Sequence, residues 1–260
     1  MKFLFKVGGT LLDDLGSRRA IVRQLAVVAR NHEVVVVHGG GKQVTRFLEE
    51  RGISSRFVNG LRVSDENVID AVTQVISGSV NKKLVSALIA EGVPAIGLSG
   101  VDGQLTEAAA LNPELQFVGQ PRKSKGSLLN LLITAGYLPV IACVAGDSSG
   151  AIYNVNADQM AVSVALGWSA KAIVFLTDVP GVRGKHGEVI PQLTETEASD
   201  LLRSGVAHGG MQAKLEAANS ALQGGISEVI IAPGHDPKVW ESLKAGLPLG
   251  TRILAGALRS

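Results

Sequence analysis

The sequence predicts an α/β fold: an open, mainly parallel β-sheet sandwiched between helices. Short apolar runs rich in β-branched residues alternate with amphipathic segments along all 260 residues. Strand and helix repeated in this order imply right-handed crossovers and a sheet covered on both faces. The 31 glycines exceed the usual share and indicate many tight turns or backbone close to a ligand.

The predicted strands are apolar runs too short for helices. Because parallel strands are buried on both faces, continuous rather than alternating apolar character is expected in them. The runs are residues 3–7, 34–37, 94–98, 138–144, 172–176 and 229–232. Residues 56–63, with Asn59-Gly60 at their centre, are typical of a β-hairpin instead.

The predicted helices follow apolar positions with a period of three to four residues. They cover residues 18–31, 42–51, 65–77, 80–91, 127–135, 157–166, 195–204 and 211–223. Ser64 is the predicted N-cap of the third, since Asp65 and Glu66 then lie in its first turn, where the helix dipole favours carboxylates. A soft boundary near Lys171 separates residues 1–170 from residues 171–260 within one continuous domain.

Composition and charge exclude several classes of function. The 25 basic and 23 acidic side chains nearly balance, and no Lys/Arg cluster is interleaved with aromatic residues, which argues against nucleic acid as a partner. The apolar start of the chain is interrupted at Lys2 and Lys6, too soon for a signal peptide or membrane anchor. Cys143 is the only cysteine, so no intrachain disulfide forms, and we expect a cytoplasmic protein.

Two glycine turns each follow a predicted strand. They are Lys6-Val7-Gly8-Gly9-Thr10 and His38-Gly39-Gly40-Gly41-Lys42. Consecutive glycines at a helix start can bring bare N–H groups against an anion, which indicates phosphate or carboxylate binding. Neither turn has the spacing of a dinucleotide fingerprint or of a Walker A loop. His38 is expected to shape the turn or the core rather than to catalyse.

Six motifs in order resemble the acetylglutamate kinases of the amino-acid kinase family. They begin at Lys6, His38, Asn59, Asn154, Thr177 and Gly210, and read KVGG, HGGG, NGLRV, NVNAD, TDVPG and GMQAK. The resemblance spans nearly the full chain, and Asn-Gly-Leu-Arg-Val is its most discriminating part.

This resemblance implies an eight-stranded, mainly parallel sheet, with a substrate-binding and dimerising lobe at residues 1–170 and a nucleotide-binding lobe at 171–260. The implied reaction is ATP-dependent phosphorylation of the side-chain carboxylate of N-acetyl-L-glutamate, the second step of arginine biosynthesis. Mg²⁺ would arrive on the ATP phosphates, because no acidic pair or histidine spacing indicates a protein metal site. A homodimer is expected. Because the first strand begins at Lys2, leaving no room for the N-terminal helix of arginine-inhibited hexamers, we expect insensitivity to arginine.

The resemblance also assigns roles to residues. Lys6 and Lys214 would flank the transferring phosphoryl group, Asp158 would orient both ammonium groups, and Gly9 belongs to the same catalytic set. The residues implied to bind substrate are Gly40, Gly41, Arg62, Asn154 and Asn156. The residues implied to bind nucleotide are Gly8, Asp178, Val179, Pro180, Gly181, Val182, Arg183, Val206, Ala207, His208, Gly210 and Met211.

The chemistry fits these residue types. A carboxylate is already ionised at neutral pH and needs no general base, so the obstacle is its repulsion from the γ-phosphate. Kinases of N-acetyl-aminoadipate or N-succinylglutamate are alternatives, because Arg62 would serve all three substrates. A non-catalytic amino-acid or nucleotide sensor is a third, against which the retention of Lys6, Asp158 and Lys214 argues.

Overall fold

The computed structural model describes residues 1–245 and 249–256. Its strands are β1 Lys2–Val7, β2 Glu33–His38, β3 Phe57–Val58, β4 Leu61–Arg62, β5 Ala95–Ser99, β6 Ala108–Ala110, β7 Val118–Pro121, β8 Leu138–Ala142, β9 Val144–Gly146, β10 Ile152–Val155, β11 Ala172–Thr177, β12 Gln192–Thr194, β13 Glu228–Pro233 and β14 Thr251–Leu254. Its α-helices are α1 Gly9–Asp13, α2 Leu15–Ala29, α3 Gly41–Glu49, α4 Glu66–Val72, α5 Asn81–Ala90, α6 Gly126–Thr134, α7 Ala157–Trp168, α8 Glu195–Arg203, α9 Gly209–Gln223 and α10 Val239–Lys244.

Eight strands form the main sheet, in the order β12-β14-β13-β11-β1-β2-β8-β5. All neighbours are parallel except β13 and β14, which confirms the predicted open, mainly parallel sheet. The central strand β1 is buried from Phe3 to Val7 and pairs Phe3 with Ala172 of β11 and with Val34 of β2. The sheet therefore runs without a break across the predicted boundary at Lys171.

The carboxyl ends of three neighbouring strands meet at one edge of this sheet. The Gly8 N–H donates to the Leu176 carbonyl at 3.2 Å, and the Gly39 N–H donates to the Val7 carbonyl at 3.3 Å. These bonds join the turn after β1 to β11 and the turn after β2 to β1. In open α/β sheets ligands bind past this edge, so the fold places both glycine turns where a site is expected.

The predicted helices 65–77 and 80–91 are one continuous helix. A π-helical segment, Thr73–Val80, joins α4 to α5. Such segments are rare and occur frequently at functional sites. Ser64 as the N-cap was wrong: Asp65 caps α4 and accepts from the Val68 N–H at 2.9 Å, whereas Ser64 is fully buried.

A small sheet and a hairpin lie beside the main sheet. The small sheet has the order β6-β7-β10-β9, and the predicted run 138–144 divides into β8 and β9 at the buried Cys143. The hairpin β3-β4 is confirmed, with φ of 49° at Asn59 and 77° at Gly60, as a tight hairpin turn requires. Within the described residues, the helices lack the length and apolar character needed to cross a membrane.

Candidate active site

Three charged side chains form the centre of the site: Lys6 and Asp158 are buried, and Lys214 is half-buried. Asp158 Oδ1 lies 2.7 Å from Lys6 Nζ, and Asp158 Oδ2 accepts a hydrogen bond from Lys214 Nζ at 3.4 Å. Lys6 is on β1, Asp158 on α7 and Lys214 on α9, so three elements far apart in sequence contribute. One carboxylate thereby holds two ammonium groups at the carboxyl edge of the sheet.

Asn156 positions the carboxylate of this centre. As the N-cap of α7, its Oδ1 accepts from the backbone N–H groups of Asp158 at 2.9 Å and of Gln159 at 3.2 Å. This cap places Asp158 in the first helical turn, where the dipole favours a negative charge. The Asn156 oxygen is thus engaged within the protein, and its predicted substrate contact is left to its amide group.

The ionisation of Asp158 and Lys214 reflects both burial and charge. Burial raises the pKa of Asp158, but the Lys6 and Lys214 ammonium groups lower it by more, leaving the pKa below the ordinary value of 3.8. Burial lowers the pKa of Lys214, the Asp158 charge opposes this, and the nearby Lys6 charge adds to it, leaving the pKa below 10.5. Both pKa values are lowered because Asp158 has two cationic partners, whereas Lys214 is partly buried and also faces the like charge of Lys6.

The two glycine turns touch each other. A β-carbon on Gly9 would lie 3.1 Å from both Cα and N of Gly40 and 3.2 Å from the Gly41 nitrogen. A β-carbon on Gly40 would lie 3.1 Å from Ile76 Cγ1 in the π-helical segment. A β-carbon on Gly9 would therefore press against backbone, and one on Gly40 against a side chain, so both turns are tightly packed. The structure brings together these turns, predicted from separate parts of the sequence.

Arg62 is a buried guanidinium held by uncharged hydrogen-bond partners. Its side chain donates to Ser55 Oγ, to the Gly41 carbonyl at 3.0 Å and to Thr45 Oγ1 at 2.7 Å. The guanidinium lies 4.7 Å from the centroid of the Phe57 ring. It is 8% exposed, and no aspartate or glutamate of the described chain forms an ion pair with it. A buried cation without a carboxylate is suited to an anionic ligand.

Asn154 is linked to Arg62 through Ser64. The Asn154 amide donates to Ser64 Oγ at 3.1 Å, and Ser64 Oγ donates to the Arg62 carbonyl at 3.0 Å. This chain connects β10 of the small sheet to the hairpin. The predicted substrate residues Arg62 and Asn154 therefore belong to one network.

The segment predicted to bind nucleotide follows β11. Gly181 has φ of 158°, and a β-carbon there would lie 2.8 Å from Val189 Cγ1, so the turn requires glycine. The buried Val182 N–H donates to Thr251 Oγ1 at 2.8 Å, while Asp178, Pro180 and Arg183 are exposed. The negative charge of Asp178 reaches Lys214, where it raises the pKa of the ammonium group.

The second predicted nucleotide segment leads into α9. His208 is the N-cap of α9 but its side chain makes no capping bond, and Gly209 has φ of 57°. Val206 and Met211 are half-buried, Ala207 is buried, and Gly210 is exposed. The Gly210 carbonyl accepts from Lys214 Nζ at 3.4 Å. An uncapped helix N-terminus beside a lysine can accept a phosphate.

Sequence reasoning missed several residues that build the site. Ser55, Thr45 and Ser64 hold Arg62 or its neighbours, and Asn81 contacts His38 Nε2. Single polar residues inside helices and loops carry no spacing signal, so only the tertiary structure identifies them. Across the described residues, no cluster of three or more His, Cys, Asp or Glu side chains could hold a metal ion.

The chain is similar in sequence to a known family of kinases. A sequence profile described as the amino acid kinase family matches residues 1–233. The acetylglutamate kinase of Solibacter usitatus is 52% identical over 255 residues, covering 98% of this chain and 99% of that protein. The acetylglutamate kinase of Acidobacterium capsulatum is 41% identical over 259 residues, covering 98% of this chain and 100% of that protein.

Solved structures share the fold at lower identity. An N-acetylglutamate synthase from Neisseria gonorrhoeae, complexed with coenzyme A and N-acetyl-glutamate, superposes with a TM-score of 0.88 at 24% identity, covering 98% of this chain and 60% of that one. A carbamate kinase from Giardia superposes with a TM-score of 0.72 at 15% identity, covering 98% of both chains. At these identities the likeness concerns the fold alone.

Proposed function

The chain belongs to the amino acid kinase family, and we propose that it transfers the γ-phosphoryl group of ATP to the side-chain carboxylate of N-acetyl-L-glutamate. The observation that carries this proposal is the Lys6–Asp158–Lys214 centre beside the facing glycine turns. The full-length likeness to acetylglutamate kinases directs the choice of substrate. The product would be the acyl phosphate N-acetyl-glutamyl 5-phosphate, and the name acetylglutamate kinase implies a place in arginine biosynthesis.

The residues at the centre would act by neutralising charge. One carboxylate oxygen of the substrate forms a bond to the γ-phosphorus while the bond from that phosphorus to the bridging oxygen breaks, releasing ADP. Negative charge is spread over the equatorial and leaving oxygens in the transition state. We assign Lys6 and Lys214 to these oxygens, and Asp158 to holding the two like-charged ammonium groups near each other.

The Arg62 network would bind the rest of the substrate. A guanidinium with an aromatic ring on one face and no carboxylate partner in the described chain can grip the substrate's α-carboxylate, and the Asn154 amide can contact the N-acetyl amide. Kinases of longer or differently acylated amino acids would use the same clamp. The likeness to acetylglutamate kinases favours the acetylated five-carbon acid.

ATP would lie across the segment after β11 and the start of α9. The uncapped N-terminus of α9 and the amide of Gly9 suit its phosphates, whereas the Gly8 N–H is already bonded to the Leu176 carbonyl. Both Asp158 oxygens already face ammonium groups, so this carboxylate is poorly suited to bind a metal. Mg²⁺ carried by the β- and γ-phosphates would supply further positive charge to the leaving oxygens.

Purified protein with ATP and Mg²⁺ tests the reaction. Each of N-acetyl-L-glutamate, N-acetyl-aminoadipate and N-succinylglutamate is offered in turn, and hydroxylamine traps the acyl phosphate. The proposal expects the trapped hydroxamate with N-acetyl-L-glutamate as the best substrate. Hydroxamate formed best from another acid would assign that substrate instead, and binding of ATP and acid without ADP formation would identify a sensor.

We also propose a homodimer. The strand β5 lies at one edge of the main sheet, and Ile89, Leu131 and Tyr137 are exposed apolar residues. An edge strand can pair with the same strand of a second copy, and apolar side chains would be buried in the contact. Sedimentation at several concentrations distinguishes a dimer from a monomer or hexamer. Arginine added to the kinase assay tests the expected insensitivity to arginine.

We also propose a cytoplasmic location, which cell fractionation can test.

A further inference from the structure

His38 and Asn81 form a buried hydrogen-bonded pair directly under the second glycine turn. Both residues are 0% exposed. The His38 Nδ1 lies 2.9 Å from the Gly39 carbonyl oxygen, and the Asn81 amide nitrogen lies 3.0 Å from His38 Nε2 and 2.9 Å from the Val140 carbonyl oxygen. The pair therefore ties the end of β2 to β8 and to the first residue of α5.

These contacts define which ring nitrogen carries the proton. A carbonyl oxygen can only accept, so Nδ1 must donate to Gly39. Nε2 is then the acceptor, and the Asn81 amide supplies its hydrogen. Burial lowers the pKa of His38 to about 4, although the Gly39 carbonyl opposes this, so the ring is neutral at physiological pH. Every polar atom of the ring has a partner.

The bond to Gly39 has a consequence for the next amide. A trans peptide is planar, and its C=O and N–H point in opposite directions. Because the Gly39 carbonyl is held against the buried ring, the Gly40 N–H points away from it. The Gly40 nitrogen also faces the first glycine turn, since a β-carbon on Gly9 would lie 3.1 Å from it. The N–H therefore lies on the side of the peptide away from the ring, and its nitrogen lies where the two turns meet.

The helix that carries Asn81 contacts the same turn. Asn81 follows the π-helical segment, whose Ile76 and Val80 would lie 3.1 Å and 3.4 Å from a β-carbon on Gly40. Packing on one side and the His38 bond on the other hold the Gly39–Gly40 peptide.

We propose that His38 and Asn81 are positioning residues that fix the direction of the Gly40 N–H, and through it the alignment of the anion bound there. This inference rests on the proposed function. Neither side chain touches the reacting atoms. A misdirected donor would impair the transition state more than the binding of nucleotide, so the effect belongs to kcat rather than to the KM for ATP.

Two substitutions of His38 separate its two hydrogen bonds. His38→Asn places an amide N–H₂ near the Nδ1 position and retains the donor to Gly39. His38→Gln places its amide near the Nε2 position and removes that donor. We expect His38→Gln to lower kcat about tenfold or more and to leave the KM for ATP unchanged. The kcat of His38→Asn should be much closer to that of the wild type.

Ser124→Ala is the matched control. Ser124 is buried and bonded to Thr106 Oγ1 at 2.6 Å and to Ser163 Oγ at 2.8 Å, away from the glycine turns. Its loss should lower the melting temperature and leave kcat per folded protein unchanged. Equal kcat losses in both His38 variants, or wild-type kcat in His38→Gln, would overturn the proposal.

Asn81 and the wild-type ring provide further tests. Asn81→Asp removes the donor to Nε2 and should lower kcat as His38→Gln does; wild-type kcat would contradict its role. Nitrogen NMR of histidine-labelled wild-type protein should show His38 protonated at Nδ1, and a proton on Nε2 would overturn the proposal even if a variant fails to fold. Wild-type protein inactive on all three acids would instead count against the proposed function.

Discussion

Gly9 and Gly40 lie so close that a β-carbon on Gly9 would approach the Gly40 Cα to 3.1 Å. Backbone lies on both sides of this contact, so no flexible side chain can move aside. We expect Gly9→Ala to push the two turns apart and lower kcat at least tenfold, because donors displaced by a fraction of an ångström lose alignment. Steady-state kinetics in the hydroxamate assay would measure this loss of kcat.

Gly78→Ala is the control for that substitution. Gly78 lies in the π-helical segment near the same turn, its φ is not positive, and a β-carbon there would meet nothing within 4 Å. Wild-type kcat in Gly78→Ala beside a loss in Gly9→Ala supports the contact as the cause. Unchanged kcat in Gly9→Ala would show that the turns need not touch.

Removing either lysine should affect turnover more than binding. Lys6→Met and Lys214→Met keep much of the side-chain length and remove the charge, and each should lower kcat about a hundredfold or more. Calorimetric titration with an ATP analogue should show a smaller change in affinity. Near-normal kcat in one variant would remove that lysine from the mechanism.

The pH dependence should report the ionisation of Lys214. Because its pKa in the folded protein lies below 10.5, the ammonium loses its proton, and activity falls, at a lower pH than for an ordinary lysine. This alkaline limb is expected in kcat/KM for ATP, which reports the free enzyme. In kcat it should lie at higher pH, since bound phosphates favour the ammonium form.

Lys214→Arg gives the matched comparison, because a guanidinium keeps its charge over this range. The alkaline limb of any residual activity should move to higher pH. An alkaline limb at the same pH in this variant would assign the limb to another group.

At the acid end, the pKa of Asp158 is lowered in the folded state. Its contribution to stability is therefore complete above pH 3.8 and is lost as pH falls through the lower, folded value.

Arg62→Lys tests the substrate clamp. A lysine retains the charge but lacks the planar fork that can bind a carboxylate through two parallel bonds. We expect the KM for N-acetyl-L-glutamate to rise about tenfold or more, with the KM for ATP unchanged. Equal changes in both KM values would indicate a general disturbance of the site, and no change would exclude Arg62 from substrate binding.

Six of the eight strands of the main sheet could be predicted because they are largely apolar runs. The strand predicted at residues 172–176, for example, is β11, Ala172–Thr177. The other two, β12 and β14, were missed, because each is short and its buried residues alternate with more exposed ones. The small sheet was not predictable, since β6 is three alanines and β7 contains glycine and proline, none of which favours a strand. These strands form because tertiary packing pairs them.

The site divides in the same way. The glycine turns indicate anion binding from their own sequence. No local sequence pattern around Lys6 or Lys214 predicts that the two lysines are close together. Only the family resemblance predicted this, and in the structure both lysines form ion pairs with Asp158. The Ser64 contact with Asn154 and the His38 contact with Asn81 depend wholly on the folded chain.

The central place of β1 has a consequence for biosynthesis. One of its edges pairs with β2, which follows soon in the chain, but the other must wait for β11, which the ribosome delivers only after residue 172 has been added. Until then an apolar strand edge is open and is a natural target for chaperones. Enzyme competence should therefore arise late during synthesis, because Lys214 on α9 is added only after β11 has become available to pair with β1, the strand that carries Lys6.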